Sequence, residues 1–240
     1  MAEPALIQHH HVEDWHTPKG RAIREVVFGM NDGLVTTIGF LAGVTGSIAQ
    51  SRYILLAGMA EIVAGAVSMA LGAYLATKSQ REFFHSEIER EKWEIEKMPE
   101  KEAQEIREIY GEMGFTRPEQ EMIVNRVMSN KDLLLRFMTR EELGLFEEHL
   151  DEPVQVAGTM GVSFVAGALP PIIPYFFMSN ARTAIWAAVL VSVAFLFAVG
   201  AVKTRLTKTN ALRSGLETTS LGIAACAIGY ILGWVAEKFI

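Results

Sequence analysis

The sequence predicts an all-α membrane protein, with five transmembrane helices and a cytoplasmic helical insert between the second and third. Half of its 240 residues are hydrophobic and 21% are charged, and mean hydropathy is +0.22. That leaves too few charges to cover the surface of a soluble chain of this size. The charges are also segregated. Residues 78–153 hold 12 of the 22 Lys and Arg and 20 of the 28 Asp and Glu, a net of −8. Outside that segment lie five runs of about 20 mainly apolar residues, the length a helix needs to cross the hydrocarbon core.

A polar tail, 1–24, comes first and carries His9, His10, His11 and His16. It contains no apolar run, so no secretory signal peptide is expected. The histidines read as a polar terminus more readily than as a metal-collecting one. Spans one and two follow within 25–77, at 26–48 and 54–77. Residues 154–240 supply the other three, at 156–177, 184–202 and 215–236. Pro170, Pro171 and Pro174 lie in span three. A proline removes a helix hydrogen bond and clashes with the preceding turn, so this span is expected to kink or end near Leu169. Gly58, Gly65 and Gly72 recur every seven residues in span two, a face that lets another helix approach closely.

Lys and Arg near the spans set orientation. One side collects Lys19, Arg21, Arg24, Lys78, Arg81, Lys203, Arg205, Lys208 and Arg213; the other has Arg52, Arg182 and Lys238. The N-terminus and the insert are therefore expected in the cytoplasm and the C-terminus across the membrane. Within the insert, residues 79–110 are rich in Glu, Lys, Arg and Gln with apolar punctuation, a helical pattern. Pro99 breaks it at the start of a second helix, which Gly111 and Gly114 end. Pro118 opens a third helix, ending near 129–130, and a fourth fits 131–143.

Several functions drop out. The single cysteine, Cys226, excludes a disulfide framework and a cysteine-based metal site. The acidic balance, with no basic stripe, argues against nucleic acid.

Acidic residues inside the spans are the informative ones. Glu25 sits at the entrance of span one, Asp32 within it, and Glu61 within span two. An ionisable group in a membrane helix costs at least about 2.5 kcal/mol, so it marks a functional site by default. Glu25 and Asp32 are seven apart and share a helix face. An ion pair would be the structural reading, but spans three and four hold basic residues only at their ends, which favours a cation or proton path. Met69 lies two turns beyond Glu61. A carboxylate with a thioether suits a first-row transition metal better than Mg²⁺ or Ca²⁺, although a lone methionine is ordinarily core. In the insert, Glu91 and Glu94 are three apart, as are Glu102 and Glu105, and Met138 precedes Glu142 by four. These spacings put side chains on one helix face. Glutamates on facing helices build carboxylate metal sites in bundles, while a solvated acidic face is the plainer reading of spacing alone.

Taken together, EVVFGMNDGL at 25–34, Glu61 with Met69, and Phe137, Met138, Glu141, Glu142, Leu143, Gly144 and Leu145 resemble the vacuolar iron transporter family. The similarity runs from about residue 20 to 240. The resemblance implies a homodimeric, proton-coupled exporter of Fe²⁺ from the cytoplasm, with Mn²⁺ as a further substrate and no resident cofactor. It implies a translocation path lined by Glu25, Asp32, Glu61 and Met69 between subunits. It also implies a cytoplasmic metal-binding site formed by Glu91, Glu94, Glu102, Glu105, Met138 and Glu142. Thr139 stands where some plant members have a second methionine. The short amino terminus and compact loops point to a prokaryotic plasma membrane; in a eukaryote the vacuolar membrane would be expected.

The alternative is a membrane-anchored iron buffer or ferroxidase, with the insert doing the chemistry. Ferritin-like sites use paired Glu-x-x-His motifs. The insert has one, Glu82 with His85, and simple anchoring would leave Asp32 and Glu61 unexplained.

Overall fold

In lipid a chain has to satisfy its own backbone hydrogen bonds, and long apolar runs do so as helices. The computed structural model describes residues 19–47, 50–144 and 151–238; the histidine cluster of the tail lies outside them. Among the described residues there are eight helices: α1 (Lys19–Ser47), α2 (Ser51–Lys97), α3 (Pro99–Glu112), α4 (Arg117–Met128), α5 (Lys131–Glu141), α6 (Pro153–Phe177), α7 (Ala181–Thr207) and α8 (Ala211–Glu237). Five are long and apolar enough to cross a membrane: α1, α2, α6, α7 and α8. The chain is an all-α, multi-pass membrane protein. It divides into two compact units, one drawn from Met1–Ala73 and Val156–Ile240, the other from Tyr74–Gln155.

In the first unit α1 is the helix around which the others pack. Its apolar side (Ile38, Leu41, Ala42) joins Ile54 and Ile62 of α2, Phe164, Ala168, Ile172 and Tyr175 of α6, and Ala181, Ala184 and Ala188 of α7 in one buried cluster. Backbones, and not only side chains, meet here. A Cβ on Gly33 would fall on the carbonyl of Phe164, and one on Gly167 on the carbonyl of Met30. Across the other face, a Cβ on Gly229 would fall on the carbonyl of Gly39, and one on Gly233 on that of Gly43. Lipid offers no hydrophobic drive between helices, so close packing of small residues is what holds such crossings. A bridge between Gln50 and Asn180 joins the α1–α2 turn to the α6–α7 turn, placing both at one end of the unit. Of the heptad glycines, Gly58 faces Ile172 and Leu41, and Gly65 faces the Phe164 ring, but Gly72 meets nothing within 4 Å.

Of the two outcomes expected at α6, a kink or an end near Leu169, the end does not form. The helix continues past Leu169 through Pro170, Pro171 and Pro174 to Phe177. Both neighbouring prolines, Ile172, Pro174 and Tyr175 are buried, so tertiary packing holds the last turns where the hydrogen-bond ladder is interrupted. The Tyr175 hydroxyl also hydrogen-bonds Thr45 of α1 at 2.9 Å. A second difference is that span two and the first insert helix are one helix of 47 residues, because no breaker separates residue 77 from residue 97.

The second unit holds the rest of α2 with α3, α4 and α5. Its turns follow local chemistry. Pro99 starts α3, where a missing N–H costs nothing. Gly114 ends the turn after α3 with a φ of 89°, a conformation that suits glycine. Thr116 and Glu119 form a capping box on α4, and the Asn130 side chain caps α5. Ile95, Ile106, Val124, Val127, Leu134 and Met138 form the core, and Arg107 clamps Glu121 of α4 through two hydrogen bonds, at 2.6 and 3.2 Å.

Gly233→Ala should therefore lower the melting temperature of the detergent-solubilised protein, by an overpacking cost of about 1–3 kcal/mol. Gly72→Ala, in open space, should leave it unchanged. Equal melting temperatures for the two variants would show that the α1–α8 crossing does not need glycine.

Candidate metal sites

The membrane unit carries the first candidate. Asp32 of α1 and Glu61 of α2 are each half-buried, close enough for their charges to interact. Thr37, five residues beyond Asp32, is fully buried and donates its hydroxyl to Glu61 Oε2 at 3.0 Å. The other oxygen, Oε1, is buried with no hydrogen-bond partner among the described residues, and so is Asn31 Oδ1. Buried acceptors left without donors are costly, and a cation or a proton relieves that cost. Glu25 is also buried, 5% exposed. Met69 is partly buried and packs against the apolar cluster. Thr37 had no signal of its own in the sequence, and Asn31 entered it only as part of the EVVFGMNDGL motif. A threonine in an apolar run reads as an ordinary small polar residue until the fold sets it beside a carboxylate.

In the second unit, Glu91 of α2, Glu102 of α3 and Glu142, which caps the C-terminus of α5, each bring a carboxylate oxygen within 4.8 Å of the others. Glu91 and Glu102 are buried, 4% and 0% exposed, while Glu142 is open to solvent. Helical register explains the pairing. Glu91 shares a face with Ile95 and Glu102 with Ile106, so the residues that build the apolar core also turn these two acids inward. As carboxylates, Glu91 Oε1, both oxygens of Glu102 and Glu105 Oε2 meet no N–H or O–H donor among the described residues, and a proton on Glu91 is what links it to Glu102. Burial, followed by the facing Glu102, pushes the Glu91 carboxyl up to about 8. Burial likewise raises Glu102 and Glu142, the latter further through Glu105 and Glu102.

Not every acid expected at this site is free. Glu94 bonds Lys101 at 2.7 Å and Arg90 at 3.0 Å, and the Lys101 hydrogen bond is the main reason its carboxyl is held below the ordinary range. Lys101 also reaches Glu105 at 2.9 Å. Met138 is fully buried in the apolar core, at the foot of the turn that ends in Glu142. The three clustered carboxylates include no histidine. Glu82, of the Glu-x-x-His motif, is exposed and pairs with Lys78. Among the described residues the arrangement supplies hard oxygen ligands to a divalent cation, and no histidine joins them. Lys101, whose charge bears on Glu94, Glu102, Glu105 and Glu142, is the residue that spacing arguments passed over.

The pH dependence has a definite sign. The folded protein holds a proton on Glu91 up to about pH 8, whereas the unfolded chain releases it near the ordinary glutamate value. Stability of the metal-free protein should therefore fall as pH rises from about 5 to 8. In the same window each bound Mn²⁺ should displace about one proton. Thermal unfolding and calorimetry across that range test both, and Glu91→Gln should flatten the stability profile. A profile that is flat in the unaltered protein would contradict the raised carboxyl.

Comparison with known proteins points the same way. The model of the VIT family matches residues 23–234. The chain is 36% identical to Vacuolar iron transporter 1 of Arabidopsis thaliana over 98% of this chain and 94% of that protein. It is 38% identical to Vacuolar iron transporter 1 of Oryza sativa subsp. japonica, over 92% of this chain and 88% of that one. Identity to Protein CCC1 of Saccharomyces cerevisiae is 28%, over 92% of this chain and 68% of that one.

Proposed function

Because the chain belongs to the VIT family, we propose that it is a proton-coupled exporter of Fe²⁺, with Mn²⁺ as a second substrate, working as a homodimer to store or detoxify iron. The observation that carries this reading is Glu61. It is a carboxylate inside a membrane helix, with one oxygen held by Thr37 and the other buried and without a partner. A membrane carboxylate in that state is a site for a transported cation. A group that takes either a metal ion or a proton, but not both, exchanges them by competition. Asp32 and Glu61 are assigned to that competition, Glu25 to the entry of the path, and Met69 to the soft contact that favours Fe²⁺.

The insert, through Glu91, Glu94, Glu102, Glu105 and Glu142 with Met138 beneath them, is assigned to collecting divalent metal. Its net charge of −8 over residues 78–153 concentrates cations nearby. With the N-terminus and insert in the cytoplasm, as the Lys and Arg asymmetry requires, the direction is out of the cytoplasm. The membrane is the plasma membrane of a prokaryote, or the vacuolar membrane if the cell is eukaryotic. An engineered cysteine at position 120 should react with an impermeant thiol reagent only from the cytoplasmic side.

Flux into proteoliposomes carrying an internal pH dye tests the mechanism. Asp32→Asn and Glu61→Gln keep size and remove charge, so each should abolish metal flux and the accompanying proton movement together. Met69→Leu should reduce Fe²⁺ flux more than Mn²⁺ flux. Native rates of metal and proton movement in the Asp32→Asn, Glu61→Gln protein would sink the proposal.

A further inference from the structure

The acidic cluster of the insert already contains a cation of its own. Lys101 Nζ lies 2.7 Å from Glu94 Oε2 and 2.9 Å from Glu105 Oε1. The next residue along the helix is Glu102, one of the three clustered carboxylates. We propose that Lys101 is a tethered placeholder cation, which holds Glu94 and Glu105 in the metal-free protein and is displaced when a divalent metal takes their oxygens. The proposal rests on the reading of the insert as a metal-binding site and adds to it a residue that sets the affinity.

Three features separate Lys101 from an ordinary surface ion pair. Its two acids are poorly exposed, with side chains 10% and 24% accessible, while the lysine itself is 47% accessible. The ammonium can therefore leave for water without unfolding anything, whereas the carboxylates stay where they are. Glu105 Oε2 is buried and without a partner even with Lys101 in place, so the lysine satisfies the site only in part. A second cation at the cluster, Arg90, bonds Glu94 at 3.0 Å through a side chain that is 69% accessible. It does not connect the two acids.

A placeholder has a measurable consequence. Any metal that engages Glu94 and Glu105 has to break both lysine contacts, so its apparent affinity is reduced by whatever those contacts contribute. Two partly exposed pairs of this kind weaken binding by roughly 2- to 30-fold in total. The lysine also keeps like charges apart while the site is empty, so removing it trades order in the empty state for affinity.

The test uses the full-length protein in detergent, titrated with Mn²⁺ by calorimetry. Lys101→Gln should bind Mn²⁺ at least about 2-fold more tightly than the unaltered protein. Lys97→Gln, which removes the same charge from an exposed position nearby, should change affinity less than 2-fold. Lys101→Arg, which keeps charge and offers a forked donor, should bind no more tightly than the unaltered protein. Amine acetylation read by mass spectrometry adds a measurement that needs no variant: Lys101 should become more reactive on adding Mn²⁺, with Lys97 constant. Equal affinities for Lys101→Gln and the unaltered protein, or unchanged Lys101 reactivity at saturating Mn²⁺, would overturn the placeholder. The Glu91→Gln, Glu102→Gln protein separates the two readings. If it loses Mn²⁺ binding while Lys101→Gln is unaltered, only the placeholder fails; if it binds as before, the metal-site reading fails and the placeholder with it.

Discussion

How closely other helices approach the backbone of α1 governs the membrane unit. At Gly33 and Gly167, and again at Gly39, Gly43, Gly229 and Gly233, one helix presents carbonyls where its neighbour has no side chain. Contacts of that kind fix helix position to within a fraction of an ångström, because there is no flexible side chain to absorb a shift. Asp32 is flanked by Gly33, and Thr37 lies one turn further on. The acid and the hydroxyl that orients Glu61 are thus mounted on a segment held by backbone contact at Gly33. A carboxylate that must distinguish a metal from a proton benefits from such a mount, since coordination is sensitive to small displacements in a way that lipid contact is not.

The insert solves a different problem with ordinary means. Among the described residues its core is small, six buried apolar side chains, yet it buries three glutamates beside them. Burying like charges together opposes folding. Two things offset it: a proton retained on the Glu91–Glu102 pair, and basic side chains drawn from the same helices, Arg90 and Lys101. The turn caps at Thr116 and Asn130 and the Arg107–Glu121 clamp add local order elsewhere. The apolar core, the caps and the clamp thus hold a unit whose buried acids oppose folding.

Much of this was legible in the sequence. The spans, the insert, its breaks at Pro99, Gly114 and Pro118, and the family itself follow from composition, breakers and motifs. Those signals are local, and in lipid local preference and global structure agree. Three features were not legible. Pro170, Pro171 and Pro174 are a breaker pattern that tertiary packing overrules. The partnership of Thr37 with Glu61 spans 24 residues and depends on how α1 meets α2. Lys101 has the right spacing to be one more solvated i,i+4 partner of Glu105, and only the position of Glu94 across the Pro99 break turns it into a bridge. In each case the missing information was a contact between elements, which no periodicity encodes.

The end of α6 carries a consequence for how the protein is made. Residues 153–169 can wind up on their own, because their hydrogen bonds are internal. The turns through Pro170, Pro171 and Pro174 lack three N–H donors and are secured by Ile172 and Tyr175 buried against other helices, with Thr45 of α1 closing the last turn. Helix insertion and helix assembly are separable stages in membranes. This segment therefore belongs to the second stage. Its final shape is acquired when α6 docks on α1 and meets α7, a helix that emerges from the ribosome after it.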